Sequence, residues 1–435
     1  MSALRREGAT VAATVARPRL HGWRHPAILA AAALSVASGF AQFGVFTALG
    51  DVATAFGEGA GGGVATELGL SATTLGLGLG LIRLAALGGL PLAALADRRG
   101  RKSVLLSCSA IGLGLTALAA LSPGYWVFIA LFALGRPLLS ATNAVAGVIA
   151  AEETRAPDRA AAIALLTAAY GLGAGLPAAL RAAVPVLTGQ PLDFRALFAL
   201  SIVPLLCLPL VARFLEEPDR FVRLRAAARG SRLGLGAVHA NLRGRLALIC
   251  LLAFAATFVT GPVNGYVFAY AENVLGVSPT ITFLIVLAAA PLGLLGLLAG
   301  RWTADAWGRR TTCVAMHVVV GLAGVAAYTG SLPLAIGGYL AGLVAGSAYA
   351  PAVGALSAEI FPTEERATAA GWLTAAGALG AVAGLAAFGI VADAFASFAP
   401  AAVLVSLPVA VTAPAYLWLP ETRGLELEES APDVP

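Results

Sequence analysis

Long apolar stretches alternate with short polar segments along almost the whole chain. Each stretch holds about 20 residues, which is the length that an α-helix needs to cross a bilayer. The pattern predicts twelve membrane spans, at approximately 27–50, 71–95, 103–121, 124–150, 161–183, 196–213, 246–270, 280–300, 311–329, 333–357, 367–391 and 397–418. We therefore expect an all-α membrane protein with twelve transmembrane helices.

The composition supports this prediction. Hydrophobic residues make up 59% of the chain and charged residues only 12%, about half of the 25% or so that is usual in soluble domains. The mean hydropathy is +0.86. Glycine and alanine are abundant in the apolar stretches, and small residues allow helices to approach closely in lipid, where packing holds them together.

The charged residues predict the orientation of the chain. Basic residues concentrate before residue 25, at 98–102, at 309–310 and between 213 and 245, whereas the alternate loops carry acids such as Asp51, Glu272 and Asp393. The positive-inside rule then places both termini and the central loop in the cytoplasm of a multi-pass protein of the cytoplasmic membrane. We interpret the net charge of +5 as a topology signal, and we expect no nucleic-acid partner.

A short charged motif occurs twice, with roughly half the chain between the copies. The first copy is Asp97-Arg98-Arg99-Gly100-Arg101-Lys102 and the second is Asp305-Ala306-Trp307-Gly308-Arg309-Arg310. Such a repeat indicates a duplicated membrane domain, which is typical of transporters. The expected organisation is a cytoplasmic tail (1–25), a six-helix bundle (26–214), a basic cytoplasmic linker (215–244), a second six-helix bundle (245–419) and a cytoplasmic tail (420–435).

With these motifs the chain resembles the major facilitator superfamily over essentially its whole length. The loop after span 4 carries Glu152 and Arg159, and the loop after span 10 carries Glu359-Ile360-Phe361-Pro362-Thr363 with Arg366. The ending from Pro420 to Glu429 is similar to that of the branch of sugar and other transporters. The resemblance implies two six-helix bundles that expose a central site alternately to the two sides of the membrane.

The resemblance also implies a gating role for the repeated loops. Arg101 and Arg309 can pair in bidentate geometry with carboxylates such as Glu152 and Glu359. We expect these pairs to form when the cytoplasmic side is closed and to break when it opens. The predicted gating residues are Asp97, Arg101, Glu152, Arg159, Asp305, Arg309, Glu359 and Arg366.

Two arginines lie near the middle of predicted spans, Arg83 in span 2 and Arg136 in span 4, with no acidic residue at a comparable depth. A charge in that position costs several kcal/mol unless it faces a wet cavity or a partner. The missing partner could be the substrate. The alternative is hydrogen bonding to backbone carbonyls at a helix break, for which Pro137 gives a reason. Arg181, at the outer end of span 5, is expected to extend to the membrane interface.

Further polar side chains are predicted at cavity depth in spans 1, 4, 7 and 10, which line the pathway in the family. They are Gln42, Asn143, Asn264, Tyr266, Tyr270 and Tyr349. Each could orient a polar solute or could join two helices by a hydrogen bond. We interpret His317 and the four cysteines as structural, and no cofactor or metal site is expected.

These observations favour a secondary transporter of a small polar solute, with an organic anion (a carboxylate or a phosphate ester) as the preferred substrate of Arg136 and Arg83. A sugar or polyol transporter and a multidrug exporter remain as alternatives. The sugar-coordinating residues of the sugar porters are missing, because the matching stretches are Ala256-Thr257 and Val353. An enzyme is disfavoured, since no carboxylate cluster occurs in the spans. We expect a monomer with two partners, the small-molecule substrate and the lipid bilayer.

Overall fold

The structure, a computed structural model, describes residues 21–57, 67–217 and 242–424. Within these ranges the chain is helical and contains no strand beyond an isolated bridge between His21 and Thr154. Most of the predicted tail 1–25, most of the linker 215–244 and most of the tail 420–435 lie outside the described residues. The all-α fold predicted from the sequence is confirmed.

Six long helices, α1 to α6, make up the first half of the chain. Their bounds are Pro26–Thr47 (α1), Ala72–Ala85 continued by Gly89–Arg99 (α2), Arg101–Ala119 (α3), Tyr125–Glu153 (α4), Ala156–Thr188 (α5), and Phe194–Ala199 continued by Ile202–Ala212 (α6). A short helix, Leu49–Phe56, follows α1. The 3₁₀ turn Ala86–Gly88 divides α2.

The second half repeats this arrangement with α7 to α12. Their bounds are Arg243–Ala269 with a π-helical turn at Tyr270–Val274 (α7), Pro279–Ala306 (α8), Arg309–Ala326 (α9), Leu332–Glu359 (α10), Thr363–Phe395 (α11), and Phe398–Thr412 with a 3₁₀ turn at Ala413–Trp418 (α12). Eleven of the described helices are long and apolar enough to cross a membrane. The twelfth, α9, is 18 residues long and less apolar, because Arg309, Arg310 and His317 lower its mean hydropathy.

Several helices extend beyond the spans predicted from the apolar stretches. The helix α5 covers Ala156–Thr188 where 161–183 was predicted, and α11 covers Thr363–Phe395 where 367–391 was predicted. The residues added at the start of both helices include charged side chains, such as Asp158 and Glu365, because helical hydrogen bonds continue through the polar zone at the membrane surface. The first span differs in the other direction, because α1 ends at Thr47 and the following short helix carries Asp51.

Glycine contacts hold equivalent helix pairs together in the two halves. In the first half, a methyl group on Gly173 of α5 would lie 2.0 Å from the carbonyl oxygen of Val36 in α1. In the second half, a methyl group on Gly384 of α11 would lie 1.9 Å from the carbonyl oxygen of Phe258 in α7. No side chain fits at either position, so the backbones touch directly, as is typical of helices in lipid.

We predict that Gly173→Ala destabilises the protein and that Gly171→Ala does not. A methyl group on Gly171 meets no atom within 4 Å, and alanine favours the helix by about 0.5–1 kcal/mol over glycine. On Gly173 it must push α1 and α5 apart, and overpacking of this kind costs about 1–3 kcal/mol. Thermal unfolding of the two purified variants in detergent measures the difference. Equal stability of the two variants would contradict the direct backbone contact.

Candidate functional site

A cavity of about 550 Å³ lies between the two halves and is lined by α2, α4, α7, α10 and α11. We call the ends of the bundle that carry residues 98–102 and 309–310 the basic face, and the ends that carry Asp51, Glu272 and Asp393 the acidic face. The lining begins at Arg83 and Arg136, in the middle of their helices, and continues to Ala93 and Leu373 near the basic face.

The cavity is closed toward the acidic face by contact between α2 and α11. A methyl group on Gly389 would lie 2.4 Å from the Ala72 carbonyl oxygen, and one on Gly76 would lie 2.3 Å from that of Leu385. A methyl group on Gly80 would lie 3.5 Å from the nearest atom of α11, and one on Gly88 would meet, among the described residues, only Pro137, which belongs to its own half. The two halves therefore separate from Gly80 onward, and the cavity opens at the basic face.

Arg83 and Arg136 line the deep end of this cavity without a hydrogen-bond or ion-pair partner among the described residues. Nε of Arg83 and both Nε and Nη1 of Arg136 are buried without a hydrogen bond, and neither residue forms an ion pair within the described chain. Arg83 lies over the ring of Phe46, with Cζ 5.1 Å from the ring centroid. The helix α4 is continuous through Pro137, and no described carbonyl oxygen accepts a hydrogen bond from Nε or Nη1 of Arg136, so the backbone alternative does not describe this conformation.

Tyr170 of α5 is part of this region and was not predicted from the sequence. It lies close enough to both guanidinium groups to interact with them electrostatically. Its hydroxyl donates to Oε1 of Gln42 at 3.5 Å, and Nε2 of Gln42 donates to Oγ of Ser38 at 2.7 Å. The position of Tyr170 could have been inferred from its spacing of three residues from Gly173, because residues three apart share a helix face and Gly173 faces α1.

The other predicted binding residues are dispersed. Tyr349 lines the cavity, and its hydroxyl shares a short hydrogen bond with the hydroxyl of Tyr416. Gln42 does not line the cavity, and Tyr170 lies between it and the two arginines. Asn143 does not line the cavity, although its Oδ1 is buried and no described residue bonds it.

Three predicted residues of α7 and its π-helical turn lie away from the arginines. Asn264 is exposed and does not line the cavity. Tyr266 is fully buried and donates to the Ala72 carbonyl oxygen in the other half at 2.5 Å. Tyr270 accepts a hydrogen bond of 2.8 Å from the backbone nitrogen of Gly330. These two tyrosines join helices instead of facing the cavity.

The first charged motif forms a compact cluster at the basic face. Nε and Nη2 of Arg101 donate to the two oxygens of Glu152, at 2.8 and 2.9 Å. Gly100, with a φ of +112°, is the N-cap of α3, and the backbone nitrogens of Arg101 and Lys102 donate to the carboxylate of Glu217. A carboxylate at a helix N-terminus satisfies free N–H groups and complements the helix dipole.

The second motif reproduces this cluster in the other half. Arg309 donates to Oδ1 of Asp305 at 2.8 Å and lies 3.5 Å from Oε2 of Glu359. The backbone nitrogens of Arg309 and Arg310 donate to Glu421 at 2.9 and 3.2 Å. Glu217 and Glu421 are thus equivalent helix caps. Both residues lie in segments recognised from the sequence, the linker and the C-terminal ending, but neither was predicted to have a role.

The remaining predicted gating residues bond within their own halves. Nε of Arg159 donates to the Ala151 carbonyl oxygen at 3.1 Å, and Nε of Arg366 donates to that of Ala358 at 2.7 Å. The side chain of Asp97 is outside the described atoms. The Arg101–Glu152 and Arg309–Glu359 pairs are present while the cavity is open at the basic face, and each lies within one half.

Arg181 lies at the acidic face in a buried ion cluster that joins the two halves. Its guanidinium donates to both oxygens of Glu272 at 3.0 and 2.7 Å, to Oδ2 of Asp51 at 2.9 Å, and to the Thr47 carbonyl oxygen. The side chain is only 5% exposed, so the expectation that it extends to the membrane interface was wrong. Burial raises the pKa of the Asp51 carboxyl, against the opposing effect of Arg181, and Glu272 adds to the rise.

A second contact between the halves lies beside this cluster. Asp393, at the end of α11, accepts hydrogen bonds from the backbone nitrogens of Ala72 and Thr73 at 2.9 and 2.8 Å. It therefore caps the N-terminus of α2 across the interface. The acidic face is closed by this cap, by the Arg181 cluster and by the Tyr266 hydrogen bond.

The comparisons with known proteins agree with this architecture. The family profile described as Major Facilitator Superfamily matches residues 28–302 and 275–432. The chain belongs to this superfamily of secondary membrane transporters. No curated protein sequence matches the chain.

Solved structures of other transporters share the fold. A bacterial homologue of the human lysosomal transporter Spinster, inward-facing and unoccupied, is 17% identical with a TM-score of 0.70, over 90% of this chain and 96% of that one. The inward-open xylose transporter XylE from E. coli is 18% identical with a TM-score of 0.66, over 93% and 98%. A mutant of the nucleoside transporter NupG is 16% identical with a TM-score of 0.72, over 90% and 99%. At these identities the likeness concerns the fold alone.

We predict that Arg181→Gln opens the acidic face. The change leaves Asp51 and Glu272 facing each other without a cation, and removing one partner of a buried ion pair costs about 3–5 kcal/mol. Spin labels at Ala55→Cys and Ala394→Cys, two exposed positions in opposite halves, report the separation in a protein whose native cysteines are replaced. We expect a longer distance in the variant.

Arg195→Gln is the matched control for this experiment. Arg195 lies at the same face and donates to the carbonyl oxygens of Ala120 and Ser122 at 2.8 and 2.9 Å, both in its own half. Its removal leaves the contacts between the halves intact. An unchanged distance in Arg181→Gln, or an equal change in Arg195→Gln, would mean that the Arg181 cluster does not hold this face closed.

Proposed function

We propose that this secondary transporter moves an organic anion, a carboxylate or a phosphate ester, and that Arg136 binds its anionic group with help from Arg83. The observation that carries the proposal is the pair of guanidinium groups at the deep end of the cavity, each with at least one buried nitrogen atom that no described residue satisfies. Desolvation of a charged group without a partner is costly. A bound carboxylate or phosphate would supply the missing acceptors.

The chemistry of arginine favours this class of ligand. The planar guanidinium matches the two oxygens of a carboxylate or phosphate in bidentate geometry. The two like charges also repel each other, and an anion between them would remove this repulsion. A neutral solute could accept hydrogen bonds but would leave both charges uncompensated.

Transport then requires the cavity to open alternately at each face. In the present conformation the acidic face is closed and the basic face is open. In the reverse conformation the Arg181–Glu272 ion pair, the Asp393 cap and the α2–α11 backbone contacts must all separate. The basic-face ion pairs would keep each half rigid during this rocker-switch motion. In the conformation open at the acidic face, new contacts between the halves would form near Arg101 and Arg309.

The distribution of charge sets the proposed orientation. Basic residues collect at the face where the cavity opens, so the positive-inside rule assigns this face to the cytoplasm. The conformation is then inward-open, in a monomer whose two termini are cytoplasmic in the cytoplasmic membrane. No described acidic residue lies beside the cavity arginines, which favours uniport or anion exchange over proton symport.

A sugar or polyol transporter and a multidrug exporter are the alternatives. XylE and NupG, which share the fold, are named as xylose and nucleoside transporters. Against a sugar, the arginines are the dominant polar groups of the cavity. Against an organic cation, two positive charges at the deep end would repel it.

We predict that an organic anion stabilises the purified protein against thermal unfolding and that Arg136→Gln abolishes this effect. A ligand at about 100 times its Kd stabilises the folded state by about 2.7 kcal/mol. A thermal-shift panel of organic anions, sugars and organic cations measures the response. We expect Arg83→Gln to weaken the response. Arg195 lies outside the cavity, so Arg195→Gln is the control and should leave the response unchanged.

Stabilisation by a sugar or a cation that persists in Arg136→Gln would overturn the proposal. The same holds if transport of every anion in the panel survives in both Arg136→Gln and Arg83→Gln. Arg136 would then have a structural role, and the corresponding alternative would replace the anion transporter.

A further inference from the structure

The side chains that line the rest of the cavity restrict the class of substrate further than Arg83 and Arg136 do alone. This step rests on the proposed anion site. We infer that the transported anion is amphiphilic, with one anionic group at Arg83 and Arg136 and an apolar body that lies along the cavity between α2 and α11.

The first observation is the apolar character of the cavity walls between the arginines and the basic face. Small and branched aliphatic side chains line α2, α7, α10 and α11 there, among them Leu87, Leu90, Ala253, Ala256, Val353 and Leu373. A polar metabolite in this space would lose its hydration without gaining hydrogen bonds, which is unfavourable. A hydrocarbon body would instead gain from leaving water.

The second observation concerns the hydroxyl groups in these walls. The Thr257 hydroxyl already donates within α7, with the Ala253 carbonyl oxygen at 3.0 Å, and the Thr374 hydroxyl donates to the Ala370 carbonyl oxygen at 2.9 Å. The Tyr349 hydroxyl is engaged with Tyr416. The two threonine hydroxyls therefore have no free proton to give to a sugar or to the second carboxylate of a dicarboxylate. The one further hydroxyl of the described lining is that of Ser140, four residues from Arg136 on α4, so the hydrogen-bonding capacity is concentrated toward the two arginines.

The third observation is the position of the charge. Both cationic side chains lie at the closed end, and the remaining lining residues, from Ala86 to Ala93 on α2 and from Leu373 to Ala381 on α11, carry no charge. A ligand with anionic groups at both ends would place one of them against aliphatic side chains. The arrangement fits a single anionic head.

The fourth observation is the separation of α2 from α11. These helices touch at Gly389 and Gly76 and diverge from Gly80 onward. Leu90 and Leu373 line the cavity on the two sides of this separation, and the Leu90 side chain is 55% exposed. The opening is therefore bordered by apolar side chains within the membrane-spanning part of the bundle, where an apolar tail can extend toward lipid.

The cavity volume is compatible with such a ligand. A volume of about 550 Å³ falls in the range of roughly 300–1,000 Å³ that holds drug-sized molecules. Acetate or inorganic phosphate would fill a small part of it. A medium-chain carboxylate or an alkyl phosphate would occupy both the arginine end and the aliphatic walls.

The test is a chain-length series measured on the full-length protein in lipid nanodiscs. Competition against a radiolabelled alkyl phosphate gives the affinities of n-alkyl phosphates from two to ten carbons, of the matching n-alkanols, and of succinate, citrate and a sugar phosphate. Empty nanodiscs correct for partition into lipid. We expect the phosphates to bind about fourfold more tightly for each methylene group that becomes fully buried, up to a plateau, and the alkanols to bind far more weakly.

Three variants connect the series to the proposed geometry. Arg136→Gln should remove the advantage of the phosphate over the alkanol at every length. Leu373→Thr should reduce the gain per methylene while leaving the affinity for ethyl phosphate unchanged, because it alters only the wall. Leu379→Thr is the control, since this residue of the same helix is half exposed and does not line the cavity.

The outcomes separate this inference from the proposed function. If succinate, citrate or the sugar phosphate binds best and needs Arg136, the anion site stands and the amphiphilic substrate is wrong. If affinity rises with chain length equally in the native protein and in Arg136→Gln, the tail binds without the arginines and both proposals fail. A gain per methylene that is identical in Leu373→Thr and the native protein would exclude the α2–α11 cavity as the tail site.

Discussion

The structure depends on how buried arginines are neutralised in a medium where a free charge is expensive. Arg181 has a complete set of acceptors, with Glu272 in the other half and Asp51 and Thr47 in its own. Arg83 and Arg136 have none among the described residues. The first arginine therefore stabilises one conformation of the protein, and the other two leave charges that the proposed anionic substrate would neutralise.

Direct backbone contact at glycines provides the rigidity on which this difference depends. Contacts such as Gly173 with Val36 and Gly384 with Phe258 fix helices within each half. The contacts between the halves at Gly76 and Gly389 are of the same kind but occur only toward the acidic face. Helices that pack without side chains between them have little room to shift separately, so we expect a change at the acidic face to alter the shape of the cavity.

The internal duplication is visible in chemistry as well as in topology. Glu217 and Glu421 cap α3 and α9 in the same manner, and Arg159 and Arg366 bond to the ends of α4 and α10 in the same manner. The duplication is broken at the cavity. The cavity arginines belong to the first half only, while the second half contributes mainly Ala256, Val353 and other aliphatic residues to the walls.

The sequence by itself determined the twelve helices, including the weakly apolar α9, as well as the duplication and the two charges at mid-span. These features follow from the length of the hydrophobic stretches and the positions of the charges, which are local properties of the chain. It could not show which polar side chains meet. Arg181 was expected at the interface and lies in an ion cluster, Tyr266 and Tyr270 join helices, and Tyr170 reaches the arginines. These outcomes were decided by the tertiary structure, since the partner of a polar group in a helical bundle depends on the rotation and the closest approach of helices far apart in the chain.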